Sequence, residues 1–300
     1  MSRKSLITPL ILAAVLMSAW GIHAAKRPDS VDIFAKSNLV AWCIVPFDVK
    51  HRGPVERAKM LKSLGITKLA YDWREQHIPT FDQEIDALQK YAIKLQAFWL
   101  TSGPEPAKDK NVAIVLDLLR RRHVKTQIWY LFIPPRGFAG LSQNQKIETA
   151  AKAVGYIAGK AAKIGCSVGL YNHGGWFGEP ENELAILDRL KAPNVGMVYN
   201  FNHAEQQIEK FPEFFPKIAP HLIALNLAGL DKSHRRVVAI GEGDSESDMI
   251  KIVYQSRYHG PIGIINEDTD PDAEAGLKKN MEGLEKILRT LGDGAALKTY

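Results

Sequence analysis

The chain has 300 residues, of which 46% are hydrophobic and 24% are charged, with a formal net charge of +6. This length suits one large domain, and the apolar fraction is enough for a sizeable core. The positive charge is mild and mostly scattered. Its only dense run, RRRH at 120–123, falls at the end of a helical pattern, where cations complement the helix dipole. The composition therefore does not indicate nucleic-acid binding.

The first residues have the pattern of a secretory signal peptide. A basic start is followed by an apolar stretch and then by the small residues Ala24 and Ala25. The alternative is an uncleaved anchor, but the apolar stretch is short for a span of about 20 residues. We predict a signal peptide over 1–25, an extension over 26–37, export to the periplasm or the cell exterior, and no stable membrane insertion after cleavage.

From residue 38 onwards, short β-rich runs alternate with longer amphipathic runs. The eight β-rich runs are NLVAWCIV (38–45), ITKLAYDW (66–73), IKLQAFWL (93–100), KTQIWYLF (125–132), CSVGLYNH (166–173), NVGMVYNF (194–201), HLIALNLA (221–228) and GPIGIINE (260–267). Each is followed by a run with apolar residues at three- and four-residue spacings, which predicts a helix. Parallel strands need such crossover helices.

Eight strand–helix units predict a single-domain α/β fold, the (β/α)8 or TIM barrel, over residues 38–292 with a tail over 293–300. The alternative is an open, doubly wound sheet. No glycine-rich phosphate fingerprint follows the first strand, which argues against a dinucleotide-binding version of that sheet. Cys43 and Cys166 could pair in an exported protein. Because they lie in strands placed across the barrel from each other, we predict two buried free thiols.

Chemistry in such barrels lies at the carboxyl ends of the strands and in the loops that follow. Aromatic residues there are Trp42, Trp99, Trp129, Tyr171 and Trp176. Amides there are Asn172, Asn200, Asn202, Asn226 and Asn266. Titratable groups are Asp72, His173, His203 and Glu267, joined by Glu242 and Asp244 of the loop GEGD before the last strand.

Aromatic faces suit the C–H faces of a sugar, and amides or imidazoles suit its hydroxyl groups. Each tryptophan taken alone could equally be a core residue. Buried asparagines, however, must be hydrogen-bonded, so several converging on one end need each other, water or a polyol ligand. These strand ends therefore favour a sugar pocket.

At NHGG, YNFNHA and GEGD the sequence resembles the xylose isomerase-like superfamily, also called the sugar phosphate isomerase/epimerase barrels. The resemblance covers about residues 38–290. It implies the (β/α)8 fold, frequently a divalent metal, and proton transfer on aldoses, ketoses or cyclitols. Endonuclease IV shares this fold but acts on DNA with zinc.

The sequence departs from the family where the metal ligands are expected. Tyr171 stands in place of a Glu, Asn200 in place of an Asp, Asn226 in place of a His and Asn266 in place of a Glu. His203 is kept. Because neutral amides do not neutralise a divalent cation, we predict no resident metal and no other cofactor. Weak Mg²⁺ or Mn²⁺ binding, with Glu267 as the eighth-strand ligand, is the alternative.

Proton transfer needs a titratable group near the substrate. His203 and His173 are candidates, as are Glu242 and Glu267, although GEGD is also a good turn sequence. The remaining polar and aromatic residues are predicted to bind substrate. Cations are scarce at the strand ends, which favours an unphosphorylated sugar.

The sequence thus predicts an exported isomerase, epimerase or lyase acting on a neutral sugar by proton transfer. The alternative is a non-catalytic carbohydrate-binding barrel that has lost its metal site. A DNA-acting hydrolase is disfavoured because zinc ligands and strong basicity are missing. The identity of the sugar and the oligomeric state are left open by the sequence.

Overall fold

The eight β-rich runs form eight parallel strands in a computed structural model of the chain, which describes residues 32–232, 236–267 and 269–300. The strands are β1 (Leu39–Trp42), β2 (Lys68–Tyr71), β3 (Lys94–Ser102), β4 (Gln127–Phe132), β5 (Ser167–Tyr171), β6 (Val195–Asn200), β7 (Leu222–Leu227) and β10 (Ile262–Ile265). They close in the order β1-β10-β7-β6-β5-β4-β3-β2. The predicted TIM barrel is confirmed. The predicted signal peptide lies outside the described residues.

Helices follow the strands and cover the outside of the barrel. They are α1 (Pro54–Ser63), α2 (Phe81–Lys90), α3 (Lys110–Arg121), α4 (Gln143–Lys163), α5 (Pro180–Leu190), α6 (Phe211–Ile218), α7 (Glu246–Gln255), α8 (Ala273–Leu291) and a short α9 (Gly294–Leu297). Proline at the first position of α1 and of α5 suits a helix start, where no N–H partner is needed. Among the described residues, no helix combines the length and apolarity required to cross a membrane.

A small antiparallel hairpin after β7 was missed in the sequence. It pairs β8 (Gly229–Asp231) with β9 (Arg236–Val238). The buried carboxylate of Glu246, at the start of α7, accepts hydrogen bonds from the backbone N–H groups of Leu230, Gly241 and Gly243. Strands of three residues are too short to show a periodic pattern in the sequence. The hydrogen bonds from the hairpin region to Glu246 join residues apart in the chain, so no local sequence pattern predicts them.

The first described residues, from 32 onwards, lie next to the carboxyl-terminal residues of the chain. The hydroxyl of Tyr300 donates to the carbonyl of Phe34 at 2.9 Å, and the N–H of Lys36 donates to the Thr299 hydroxyl at 2.8 Å. The described part of the predicted extension, residues 32–37, therefore packs on the predicted tail. Cys43 and Cys166 are both buried free thiols, as expected from the sequence.

A buried ion pair joins the first two helices. Arg57 on α1 donates through Nε and Nη2 to the two carboxylate oxygens of Glu84 on α2, both at 3.1 Å. The two side chains are 3% and 2% exposed. Removing one partner would leave an uncompensated buried charge, which is far more costly than losing a solvated pair.

We expect Glu84→Gln to lower the free energy of unfolding by roughly 3–5 kcal/mol, because the Arg57 charge stays buried. Urea denaturation measures the change. Glu105→Gln is the matched control: its exposed pair with Lys108 has side chains 65% and 75% exposed. Such pairs contribute about 0–1 kcal/mol. Equal effects of the two substitutions would contradict a special role for the buried pair.

Candidate functional site

A layer of aromatic rings fills the barrel below its carboxyl-terminal mouth. The ring of Trp42 lies 4.9 Å from that of Trp129 and 5.8 Å from that of Trp99, centroid to centroid. Tyr171 completes the layer, 4.7 Å from Trp99. Its hydroxyl accepts hydrogen bonds from the Trp42 indole at 2.9 Å and from the Asn200 amide. These inward-facing side chains form an aromatic floor carrying a few fixed polar groups.

Two imidazoles lie against each other, tilted by 43°, at the edge of this floor. The rings of His173 and His203 are 4.0 Å apart, and His173 lies 6.0 Å from Trp99. Burial lowers the pKa of His203 to about 3, and the neighbouring His173 adds to the effect. Burial also lowers the pKa of His173, helped by Arg74. Both rings are therefore neutral near pH 7 and act there as hydrogen-bonding groups.

Asp72, after β2, is the buried acid of the mouth. One carboxylate oxygen accepts from the N–H of Val45 at 3.2 Å, and the other has no hydrogen-bond partner among the described residues. Burial raises its pKa to about 7, against the attraction of nearby Arg74. A carboxyl group with this pKa is suited to give and take protons near neutral pH.

Cys43 is a site residue that the sequence did not reveal. It follows β1 with φ of 56°, a left-handed conformation uncommon outside glycine. Its buried thiol neighbours Asp72 and is hydrogen-bonded to half-buried Glu267; burial, followed by these acids, raises the thiol pKa. Such strained residues concentrate at functional sites. The stretch WCIVP carries no turn signal, so the sequence could not have shown this.

The asparagines at the ends of β5 and β6 hold these strands together. Asn172 accepts from the N–H of Asn200 at 2.6 Å and donates to its carbonyl at 3.2 Å. The Asn200 side chain in turn accepts from the N–H of Asn202 at 2.9 Å. The side-chain oxygen of Asn202 is buried without a partner among the described residues. Asn172 thus joins β5 to β6, whereas the side-chain oxygen of Asn202 can still accept a hydrogen bond from a ligand.

Asn226 on β7 is fully buried, and both polar atoms of its amide lack partners in the part of the chain that the structure describes. It pairs in register with Asn200 on β6 and with Gly263 on β10. A Cβ at Gly263 would lie 1.9 Å from the amide oxygen of Asn226. Glycine therefore makes the space that this amide occupies, and a buried amide without partners needs a ligand or water.

Other predicted residues lie apart from the floor. Asn266 donates to the carbonyls of Phe47 and Asp270, and its oxygen lies where a Cβ on Gly276 of α8 would be. It borders a separate cavity of about 420 Å³. Trp176 packs on Phe138 at 5.2 Å between centroids and donates to Gln143.

The GEGD loop faces the outer helices. Glu242 pairs with Lys279 of α8 at 2.9 Å, and exposed Asp244 accepts from the N–H of Lys232 at 2.9 Å. Gly241, with φ of 83°, lies so close to Gly283 of α8 that a Cβ would approach its Cα to 2.9 Å. These glycines therefore serve a turn and a close helix contact.

The donor atoms at the family's metal positions do not fit a divalent cation. The Tyr171 hydroxyl already accepts two hydrogen bonds, and the Asn266 amide is directed to loops and α8. Asn200 and Asn226 are neutral. Across residues 32–232, 236–267 and 269–300, no three His, Cys, Asp or Glu side chains are grouped to hold a metal.

The architecture is a (β/α)8 barrel with a group of aromatic, imidazole and amide side chains at the carboxyl ends of its strands. A family model described as xylose isomerase-like TIM barrel matches residues 57–287. The chain belongs to this family. No curated protein matches the sequence.

Solved structures with the same fold are distant in sequence. An IolI protein with a bound zinc atom has a TM-score of 0.65 at 11% identity, covering 84% of this chain and 98% of that one. The 3-keto-D-glucoside 4-epimerase YcjR from E. coli has 0.62 at 13%, covering 85% and 100%. The probable 3-DHS dehydratase AsbF from Bacillus anthracis has 0.62 at 14%, covering 82% and 98%. At these identities the likeness shows the fold alone.

The raised pKa of Asp72 makes stability depend on pH. Between 3.8 and about 7 the folded protein keeps a proton on this carboxyl that the unfolded chain releases. The stabilisation from this bound proton is complete below pH 3.8, the pKa of the carboxyl in the unfolded chain. It is lost as the pH rises through about 7, the pKa of the carboxyl in the folded protein. We expect Asp72→Asn to reduce the fall in unfolding free energy between about pH 5 and pH 8 by roughly 2–3 kcal/mol.

Urea denaturation at the two pH values measures this difference. Asp188→Asn, at an exposed position on α5, is the control and should leave the wild-type pH dependence in place. An unchanged slope in Asp72→Asn would show that the carboxyl titrates normally in the folded protein.

Proposed function

We propose that this protein is an exported enzyme that moves a proton on a neutral sugar or sugar derivative, by isomerisation, epimerisation or a related elimination. The observation that carries the proposal is the combination, at one barrel mouth, of a buried carboxyl of pKa about 7 with neutral imidazoles and unpartnered amides. The sugar-modifying neighbours in this fold, such as the 3-keto-D-glucoside 4-epimerase, support the class.

Asp72 is the best-tuned proton carrier at the mouth. An ideal general base has a pKa near the working pH, which Asp72 meets at about 7 and His203 misses at about 3. In the proposed reaction, the Asp72 carboxylate removes a proton from the carbon beside the sugar carbonyl, leaving an enediolate. The same carboxyl returns the proton to the neighbouring carbon, while the adjacent hydroxyl proton moves to the former carbonyl oxygen, which completes the isomerisation. Glu267, half-buried beside Cys43, is the second acid within this group.

His203 then serves as a hydrogen-bond donor. A neutral imidazole N–H can stabilise the oxyanion that develops as the carbon loses its proton, a role that does not require protonation. The amides of Asn226 and Asn202 are placed to bond hydroxyl groups, because both hold buried polar atoms without partners among the described residues. The ring of His173 and the ring of Trp99, 6.0 Å apart, offer an edge for the sugar to pack against.

A neutral sugar suits the charges at the mouth. Arg74, a cation near Asp72, donates to the carbonyls of Asp72 and Trp73. Arg52, in the loop after β1, is paired with Asp48 and Asp272. A phosphate would therefore meet few free donors there. Together with the predicted signal peptide, this supports an unphosphorylated substrate in an exported protein.

A carbohydrate-binding barrel without catalysis is the second candidate. The replacement of charged metal ligands by the bonded Tyr171 and by amides favours it, because these groups bind hydroxyls without moving protons. The two candidates differ in one observable, which is exchange of carbon-bound hydrogen.

We expect the wild-type protein to exchange a sugar C–H for deuterium in D₂O, measured by NMR across a panel of neutral aldoses and ketoses. Asp72→Asn should slow exchange by roughly 10²–10⁴-fold, because the proton carrier is removed. Glu242→Gln is the matched control and should retain exchange, since this carboxylate pairs with Lys279 on α8. Saturable sugar binding with no exchange in any panel member would favour the binding barrel.

We also expect chelation to leave sugar binding and exchange unchanged, because the donor atoms at the mouth do not fit a divalent ion. The protein is treated with EDTA, dialysed and compared with untreated protein, with metal content measured by elemental analysis. Mg²⁺ or Mn²⁺ bound at one ion per chain, with exchange lost on its removal, would contradict this expectation.

A further inference from the structure

The opposite, amino-terminal end of the barrel carries a group of lysines without acidic partners. Lys68 and Lys94 begin the neighbouring strands β2 and β3 and are paired in register. Lys125 comes two residues before β4. Among the described residues, none of the three forms an ion pair with a carboxylate, and Lys68 instead donates to the amide oxygen of Asn38 at 2.9 Å.

This arrangement of like charges is unfavourable by itself. Like charges directly opposite each other on adjacent strands destabilise a sheet. The repulsion is visible in the pKa of Lys68, which is lowered by burial and then by Lys94. A negative charge bound near Lys68 and Lys94 would offset this repulsion.

A cavity of about 490 Å³ lies beside this pair. Lys94 and Lys125 line it together with the neutral polar residues Gln96, Thr126, Ser167 and Asn194. The cavity lining contains no Asp or Glu. The two ammonium groups and the Ser167 hydroxyl can donate hydrogen bonds to an anion placed there, and charge-assisted bonds of this kind are the strong ones. Thr126 and Asn194 shape the cavity, because their donors are already bound to backbone carbonyls.

A structural role explains only part of the cluster. The stem of Lys125 packs on Gly165 just after α4, with its Cδ and Cε 3.3 Å from where a Cβ would be. There the ammonium group can complement the helix dipole. Lys94 is exposed at the start of β3, and its charge acts on the neighbouring Lys68.

We propose that this cavity binds an oxyanion of the phosphate or sulfate class, held between Lys94 and Lys125. The site lies at the far end of the barrel from the sugar pocket and is independent of the proposed reaction. Both a free phosphate and the phosphate of an anionic lipid headgroup have the required chemistry, and the experiment distinguishes them.

The test is calorimetric titration of the full chain with inorganic phosphate, at constant ionic strength set by chloride. The wild type should bind in a saturable manner. The double variant Lys94→Gln/Lys125→Gln should bind at least roughly tenfold more weakly, because a charge-assisted hydrogen bond contributes about 1.5–3 kcal/mol. The matched control Lys152→Gln/Lys217→Gln removes two exposed charges elsewhere and should bind like the wild type.

A second arm measures co-sedimentation with phosphatidylcholine vesicles containing phosphatidylglycerol. Binding to these vesicles that the first double variant loses and the control keeps would assign the anion to lipid headgroups. Phosphate binding without vesicle binding would assign it to a free anion. Equal weakening in both double variants, or no saturable binding of either probe, would overturn the proposal.

Thermal denaturation in phosphate-free buffer tests whether the variant is folded as stably as the wild type. Lys94→Gln relieves the repulsion with Lys68, so the variant should melt no lower than the wild type there. Added phosphate should then raise the melting temperature of the wild type but not that of the variant. A phosphate-induced rise of equal size in the variant would also overturn the proposal.

Discussion

Closure of eight parallel strands is the constraint on which the rest of this molecule depends. Because every barrel strand runs the same way, all carboxyl ends meet at one rim and all amino ends at the other. Residues far apart in sequence, such as Trp42 and Tyr171, are thereby brought into hydrogen-bond contact. The same closure gathers Lys68 and Lys94 at the opposite rim. The two ends of one barrel thus have different chemistry: a neutral, aromatic mouth above and an electropositive cavity below.

Burial that the nearby cations do not outweigh sets the electrostatics of the mouth. In a site with a divalent metal, carboxylates stay ionised because the cation neutralises them. Here Asp72 is buried with Arg74 as its nearby cation, and its pKa rises to about 7. The same desolvation lowers the pKa of His203. The Asp72 carboxyl therefore titrates near neutral pH, where a histidine ordinarily would, and the His203 imidazole remains neutral there.

The fold followed from periodicity because strands and crossover helices alternate along the whole chain. The positions of Trp42, Tyr171 and Asn200 at strand ends followed from the same pattern, whereas β3 runs three residues beyond Trp99, where the sequence ended it too early. Side-chain direction in loops did not, because it is set by distant partners. The orientation of the Glu242 side chain is set by its ion pair with Lys279. The orientation of the Asn266 side chain is set by hydrogen bonds to loop carbonyls. The strained backbone at Cys43 had no signal, since the surrounding chain imposes it.

Asn226 and Gly263 occupy one shared volume across two neighbouring strands. The amide of one fills the space that the missing side chain of the other leaves. Position 263 can therefore not gain a side chain alone: a larger residue there would need a smaller one at 226, and the barrel would lose the Asn226 amide. Among related sequences, these two positions should change as a pair, and that pairing would mark the subset of barrels that share this pocket floor.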